Sequence, residues 1–372
     1  MASNGNVVQR KTEFIEGQMD SFVYQAQAAR VLFGAGTGAR LGEEAQRLGL
    51  TRVLVLCTPG RTELAERAAQ WLGSRAVGVF DGATMHTPVA VTERALAAVK
   101  SLGADGVVSI GGGSTTGLGK AIALRTDLPQ IAMPTTYAGS EMTPILGETR
   151  DGVKTTQRTA KVLPEVVIYD VELTRSLPVP LSALSAFNAI AHAVEALYAP
   201  DTNPIVSLMA QEGVRSIVKA LGRIAATPHD LGVRADLLYG AWLCSCCLGA
   251  TTMGLHHKLC HTLGGLFDLP HAETHTIVLP YVLEFNAPAV PDAVARLGQA
   301  METDDPVRAL IELERSLHLP MALRDVGMPN DGIARAVAQA TANPYANPRE
   351  VDAGALTELL ERAWRGAGAR AH

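Results

Sequence analysis

Only five of the 372 residues are cysteine: Cys57, Cys244, Cys246, Cys247 and Cys260. Three of them crowd into Cys244-Ser-Cys246-Cys247, inside an apolar helical stretch, and no second spaced pair accompanies them. A disulfide framework and a four-cysteine metal cluster are both excluded, and the cysteines read as small core residues in a reducing compartment. Basic residues are not in excess: 32 Lys and Arg stand against 37 Asp and Glu, a formal net charge of −5. With no basic block and no aromatic–basic interleaving, nucleic acid is not an expected partner. No apolar run reaches the ~20 residues that cross a bilayer, so no membrane is expected either. Met1 to Asp20 lacks the apolar core of a secretory signal. It reads as a flexible extension over 1–21, and the protein is expected in the cytoplasm. Internal repeats and low-complexity tracts are also lacking.

What remains is an ordinary globular composition, 47% hydrophobic and 19% charged, in a chain long enough for two domains. Ala29–Phe33, Arg52–Cys57, Ala76–Val79, Gly106–Ile110 and Gln130–Met133 are short apolar runs that predict strands. Gly38–Leu48, Glu63–Leu72, Val89–Leu102 and Thr115–Ala123 between them have helical spacing. That alternation predicts a parallel, Rossmann-like sheet with helices on both faces; Val153–Thr156 and Glu165–Tyr169 are expected to add strands near its end. After Asp170 the pattern turns helical, over Leu181–Tyr198, Pro204–Ile224, Gly232–Leu255 and Pro306–Leu317. Leu177-Pro-Val-Pro180 breaks the chain at the change. The expected division is an α/β nucleotide-binding domain over 22–175 and an all-α domain over 176–372.

Val107-Val-Ser-Ile110 runs into Gly111-Gly112-Gly113-Ser114 and then a helix. Glycines let a ligand approach the backbone, and a helix N-terminus offers free N–H groups to a pyrophosphate. Gly34-Ala-Gly36-Thr-Gly38 lacks the offset of the dinucleotide fingerprint and reads as a turn. Thr58 and Pro59 end a strand, where doubly wound folds bind ligands. Lys120, in the helix after the glycines, is read as a surface charge.

Five of the ten histidines fall within twenty residues: His256, His257, His261, His271 and His275. On a helix, i and i+4 share a face, which pairs Asn188 with His192 and His257 with His261. His271 follows an expected turn that could fold it back onto the same pocket. Three imidazoles and a carboxylate would suit a divalent metal, but the fourth group is the neutral amide of Asn188.

The Asn188-x3-His192 helix followed by His257 and Pro270-His271 resembles the iron-containing alcohol dehydrogenase family, whose metal pattern has Asp where this chain has Asn188. Gly111–Ser114, Pro134-Thr-Thr-Tyr-Ala-Gly-Ser-Glu-Met-Thr143 and Val167-Ile-Tyr-Asp170 extend the similarity over Phe22 to about Arg365. Phe187-Asn-Ala-Ile-Ala-His-Ala-Val-Glu195 is similar to the family's maleylacetate reductase branch, regarded as metal-free. The resemblance implies a dehydroquinate synthase-like architecture, a homodimer, and NADH or NADPH as cofactor, with no metal. Arg61 leaves the choice between the two cofactors open. The implied reaction reduces the conjugated C=C bond of maleylacetate, a dicarboxylate, to 3-oxoadipate in aromatic-compound breakdown. Asn188, His192, His257, His261 and His271 would be catalytic, and His275 the least important of the cluster. Thr58, Pro59, Gly111, Gly112, Gly113, Ser114, Thr135, Thr136 and Ser140 would bind the cofactor; Lys154, Arg158, Lys161, Lys258 and His256 would bind the substrate. The competing readings are a metal-dependent alcohol dehydrogenase or carbonyl reductase, a dehydroquinate-synthase-like lyase, and a non-catalytic assembly subunit. Asn188 argues against the first, the lack of evident phosphate-binding basic residues against the second, and the histidine cluster against the third.

Overall fold

The computed structural model describes residues 21–26 and 29–366. The extension expected over 1–21 lies, apart from Ser21, outside the described residues. Six strands form one sheet: β1 (Arg30–Gly34), β2 (Val53–Leu56), β3 (Ala76–Phe80), β4 (Gly106–Gly111), β5 (Gln130–Pro134) and β8 (Val166–Asp170). They pair in parallel in the order β1-β8-β5-β4-β2-β3. Helices α1 (Leu41–Arg47), α2 (Thr62–Leu72), α3 (Val89–Leu102) and α4 (Gly113–Thr126) alternate with the strands. Leu41, Ala65 and Leu72 cover Val53, Val55 and Val108 on one face; Val91, Val99 and Leu118 cover Leu54, Leu56 and Val107 on the other. Covering both faces is what lets these strands be continuous apolar runs.

Two expectations need correction. Val153–Thr156 belongs to β7 (Val153–Arg158), which pairs antiparallel with β6 (Ile145–Arg150) in a separate hairpin and adds nothing to the main sheet. The sequence hid β6 because one of its inward positions is a charge, Glu148, 3.0 Å from Arg125. Gly232–Leu255 is not one helix: α7 (Leu231–Ala250) stops and α8 (Leu255–Phe267) restarts. Arg158 closes the break from outside, donating to the carbonyls of Gly249 at 2.8 Å and Thr251 at 3.4 Å, which a helix end leaves without partners.

Beyond Asp170 no strand occurs among the described residues. The helices are α5 (Val179–Leu197), α6 (Pro204–Ile224), α7, α8, α9 (His271–Asn286), α10 (Pro291–Met301), α11 (Pro306–Ser316), α12 (Gly332–Thr341) and α13 (Ala353–Arg365). α5 is buried from Ser182 to Leu197 and packs against α6, α7 and α9. A helix apolar nearly all round is a core helix, so the polar exceptions on it are placed in the interior. α7 is long and apolar enough to cross a bilayer, yet it lies against α5 and α6 and carries a fully buried arginine.

That arginine, Arg234, ties the two halves together. It donates to Leu177 O at 2.7 Å, Ser182 Oγ at 2.6 Å, Pro228 O at 2.9 Å and, at 3.3 Å, to the hydroxyl of Tyr137 after β5. Arg234→Met takes their donor from Ser182 Oγ, the Tyr137 hydroxyl and Pro228 O, while Leu177 O keeps Ser182 Oγ at 3.2 Å. Each acceptor so deprived costs about 1–3 kcal/mol, so a loss of at least ~3 kcal/mol is expected, read as a lower midpoint in urea unfolding; an unchanged midpoint would show the acceptors finding other partners.

Candidate active site

The carboxyl ends of β2, β4 and β5 lie side by side, because Leu56 aligns with Ser109 and Gly111 with Pro134. This register brings Thr58 and Pro59, the glycines 111–113 and Thr135–Thr136 to one edge of the sheet, where doubly wound folds bind ligands. Gly111 has φ of 154°, and a side chain there would collide with Thr115 Oγ1. Gly112 precedes α4 without any side-chain cap on the helix, so the first N–H groups of α4 remain available to an anion. A Cβ on Gly112 would stand 3.2 Å from Thr136 Cγ2 and Oγ1. The hydroxyls of Ser140 and Thr115 are buried with no partner among the described residues. The edge fits a pyrophosphate: narrow, lined by backbone, and holding hydroxyls ready to donate. The second glycine turn serves another purpose. Gly36 and Gly38 donate to the Asp170 carboxylate at 2.8 and 2.9 Å.

The histidines gather where α5, α8 and α9 meet. Asn188, His192 and Glu195 occupy one face of α5 at spacings of four and three. His192 stacks on His257, ring centroids 5.2 Å apart. His257 Nδ1 lies 2.6 Å from Glu195, and the same carboxylate accepts from the backbone N–H of Gly254 at 3.1 Å, His256 at 2.7 Å and His257 at 3.3 Å. Glu195 thus caps α8, favoured by the helix dipole, and fixes the His257 ring. Glu195 also borders a cavity of about 210 Å³ lined by Tyr198, Thr252 and Asn347, with none of the histidines in its wall. Asn188 Oδ1, His192 Nδ1 and His257 Nε2 are among the polar atoms buried here without partners among the described residues. Buried polar atoms of folded proteins are nearly always paired, so a ligand at this junction would have these atoms to engage. Burial pushes His192 well below the ordinary imidazole value, reinforced by His257 and His271; its ring is neutral at neutral pH.

His261 and His271 are exposed at the rim. His261 stands edge-on to His257 at 6.2 Å; His271 begins α9 and packs on His275 at 4.2 Å. Lys258, half-buried, holds its ammonium 5.6 Å from the Tyr345 ring centroid. Lys154 lies on β7, opposite Thr149.

Burial places several of these residues differently from what their spacing suggests. His256 is fully buried, its Nε2 3.1 Å from His275 Nδ1. Lys161 is held in an exposed ion pair with Asp127 at 2.7 Å. His275, expected to matter least, sits among His256, His257 and His271. Lys120, read as a surface charge, is 1% exposed. Glu195 joins the site through contacts with α8 that its spacing on α5 does not show.

The donor set does not suit a ferrous centre. Three imidazoles can hold zinc in general, but the one position that could add negative charge carries the Asn188 amide, and the nearby Glu195 carboxylate is already engaged by four donors. A second trio, His256, Cys260 and His275, brings its donor atoms within 4.8 Å of one another. An ion there would strand the other ring N–H of each histidine, because His256 Nδ1 and His275 Nε2 have no partner among the described residues, whereas metal-bound imidazoles normally hand that proton to an acceptor. The direct His256–His275 bond accounts for the trio without an ion.

Two family profiles match the chain: iron-containing alcohol dehydrogenase over residues 28–171, and the C-terminal part of the Fe-containing alcohol dehydrogenase family over 182–364. The maleylacetate reductase of Burkholderia cepacia is 53% identical over 348 residues, covering 94% of this chain and 99% of the relative. The crystal structure of maleylacetate reductase from Agrobacterium tumefaciens superposes with a TM-score of 0.91 at 53% identity, over 94% of this chain and all of the other. That of the Rhizobium sp. enzyme gives 0.91 at 54%, with the same coverage. Matched by profiles along nearly all of its length, and built as a parallel-sheet domain followed by a helical one, the chain belongs to the iron-containing alcohol dehydrogenase family.

Proposed function

We propose that this chain is a maleylacetate reductase that takes its hydride from NADH or NADPH and works without a metal. The observation that carries the proposal is the set of buried, unpartnered polar atoms on Asn188, His192 and His257, with an amide where a metal site would need charge. The relatives named maleylacetate reductase, about half identical over nearly the full chain, support the substrate. The cofactor would lie between the domain at 22–175 and that at 176–372, along the edge formed by Thr58, Pro59, Gly111–Ser114, Thr135, Thr136 and Ser140.

Maleylacetate carries a C=C bond conjugated to a ketone. NAD(P)H, when bound, supplies the hydride. Hydride enters at the alkene carbon remote from the ketone, and the π electrons move onto the ketone oxygen as an enolate. An enolate is a far weaker base than the alkoxide left by carbonyl reduction, so hydrogen-bond donors can hold it where an alkoxide benefits from a Lewis acid. The neutral His192 ring can be such a donor through a ring N–H, and Asn188 can donate only through its Nδ2 hydrogens, its unpartnered Oδ1 being an acceptor. A proton from His257 Nε2 to the carbon beside the former ketone completes 3-oxoadipate. Glu195, at Nδ1 of the same ring, holds its orientation and provides the counter-charge while Nε2 carries the proton, as carboxylate–imidazole pairs do elsewhere. Lys258 and the rim histidines His261 and His271 face the substrate's carboxylates, and burial of Leu255 and Leu259 beside them limits water near the enolate.

The test is an assay of NADH and NADPH oxidation with maleylacetate and, separately, with simple aldehydes. The proposal expects one cofactor oxidised per maleylacetate, 3-oxoadipate as product, and far slower turnover of aldehydes. Preferential aldehyde reduction would refute it.

A further inference from the structure

The cavity beside Glu195 takes no part in the chemistry above, and its wall is rich in oxygen. It lies between the end of α5 and the start of α8, with residues 346–348 on a third side. The point where a Cβ on Gly254 would stand is 3.0 Å from Ala346 O, 3.2 Å from Glu195 Oε1 and 3.4 Å from Asn347 Oδ1. Among the described residues Glu195 Oε1 accepts from His256 N alone, at 2.7 Å, and Asn347 Oδ1 from Asn286 Nδ2 alone, at 3.1 Å. Each oxygen therefore keeps a lone pair. The Tyr198 hydroxyl, also in the wall, is buried with no hydrogen-bond partner of acceptable geometry among the described residues, Asn286 being its polar neighbour. No lysine or arginine lines the cavity: Lys258 turns to the Tyr345 ring, and Arg349 donates to Phe285 O at 3.0 Å. α5 ends here with no basic residue in its last turn, so nothing on that helix offsets the partial negative charge of its carbonyl end. Asp201 adds a carboxylate behind the wall, accepting from Thr252 N at 2.9 Å and Thr252 Oγ1 at 2.8 Å. The positive end of α8 opposite is already capped by Glu195.

We propose that this cavity binds one monovalent cation of potassium size, held by Glu195 Oε1, Ala346 O, Asn347 Oδ1 and the Tyr198 hydroxyl oxygen. Carbonyl oxygens can replace the hydration shell of such an ion, as they do in potassium filters. A divalent ion is the poorer match, because its affinity is set by the number of charged ligands and only one of these four oxygens is charged. The ion ties residues 346–348 to the carboxylate that holds His257 Nδ1 at 2.6 Å. It is separate from the histidine cluster, since no histidine lines the cavity.

The test follows thermal unfolding of the full-length protein in KCl, in choline chloride and in MgCl₂ at matched ionic strength. For a dissociation constant on the order of 10 mM, about 100 mM K⁺ raises the midpoint by about 2 °C over choline, and the shift saturates. Gly254→Ala puts a methyl among the three oxygens and is expected to abolish the difference between the two salts. Tyr198→Phe removes one ligand and is expected to need roughly 3- to 10-fold more KCl for half the shift. Equal midpoints in KCl and choline chloride would mean that water alone fills the cavity and would overturn the proposal. So would a K⁺ shift that survives in folded Gly254→Ala, or a larger shift with MgCl₂ than with KCl. Should Gly254→Ala fail to fold, Tyr198→Phe decides: an unchanged half-saturation overturns the site. The measurement uses neither NADH nor maleylacetate, so its failure leaves the reductase reading standing.

Discussion

His257→Ala is expected to lower kcat/KM for maleylacetate by roughly 10²–10⁴, the usual size of a general-acid contribution, with NADH affinity near normal. The expectation follows from where the ring sits. Its Nδ1 is fixed at 2.6 Å from Glu195, its face lies on His192, and its Nε2 is buried with no protein partner. Glu195 keeps its three backbone donors from the start of α8 after the substitution, so the helix remains capped and the variant is expected to fold. His271→Ala is expected to fall in the same range, because His271 opens α9 at the rim. Single-turnover mixing of NADH, maleylacetate and each variant separates the proton step from binding. Near wild-type rates in both folded variants would remove the histidines from the mechanism.

Gly112→Val is expected to raise the apparent KM for NADH sharply with kcat at saturation little changed. Even a Cβ at this position reaches 3.2 Å from Thr136, and a branched side chain would fill the gap that the backbone N–H groups of α4 face. Losing one charge-assisted hydrogen bond to a phosphate, about 1.5–3 kcal/mol, weakens binding roughly 10- to 100-fold. Fluorescence titration of NADH into the variant measures it directly. Unchanged affinity in a folded Gly112→Val would place the pyrophosphate elsewhere.

Much of this fold was legible because its signals are local. Apolar runs buried on both faces marked β2, β4 and β5, and α3 and α6 matched their predicted spans, Val89–Leu102 and Pro204–Ile224. What escaped depends on partners distant in sequence. β6 was hidden by Glu148, which is inward only because Arg125 pairs with it. The break between α7 and α8 is held by Arg158 and Glu195, from about ninety and sixty residues earlier. The histidine cluster stood out by density, and the i, i+4 spacing brought Asn188 beside His192. Spacing puts His256 and His257 on different faces but did not tell which of them turns inward to His275, nor that Lys120 is buried, since an isolated lysine on a helix is ordinarily solvated. Its acceptors are carbonyls of a segment twenty to twenty-five residues away, which no side-chain pattern records.

The central claim is that NAD(P)H reduces a conjugated alkene beside an amide at position 188 and three imidazoles, without a metal. It is tested most directly by dialysing the purified protein exhaustively against chelator, confirming by elemental analysis that iron and zinc are gone, and following NADH oxidation with maleylacetate. The account predicts the full rate in the metal-free protein, with no gain on adding Fe²⁺ or Zn²⁺. Loss of activity on chelation and its return with either ion would contradict it.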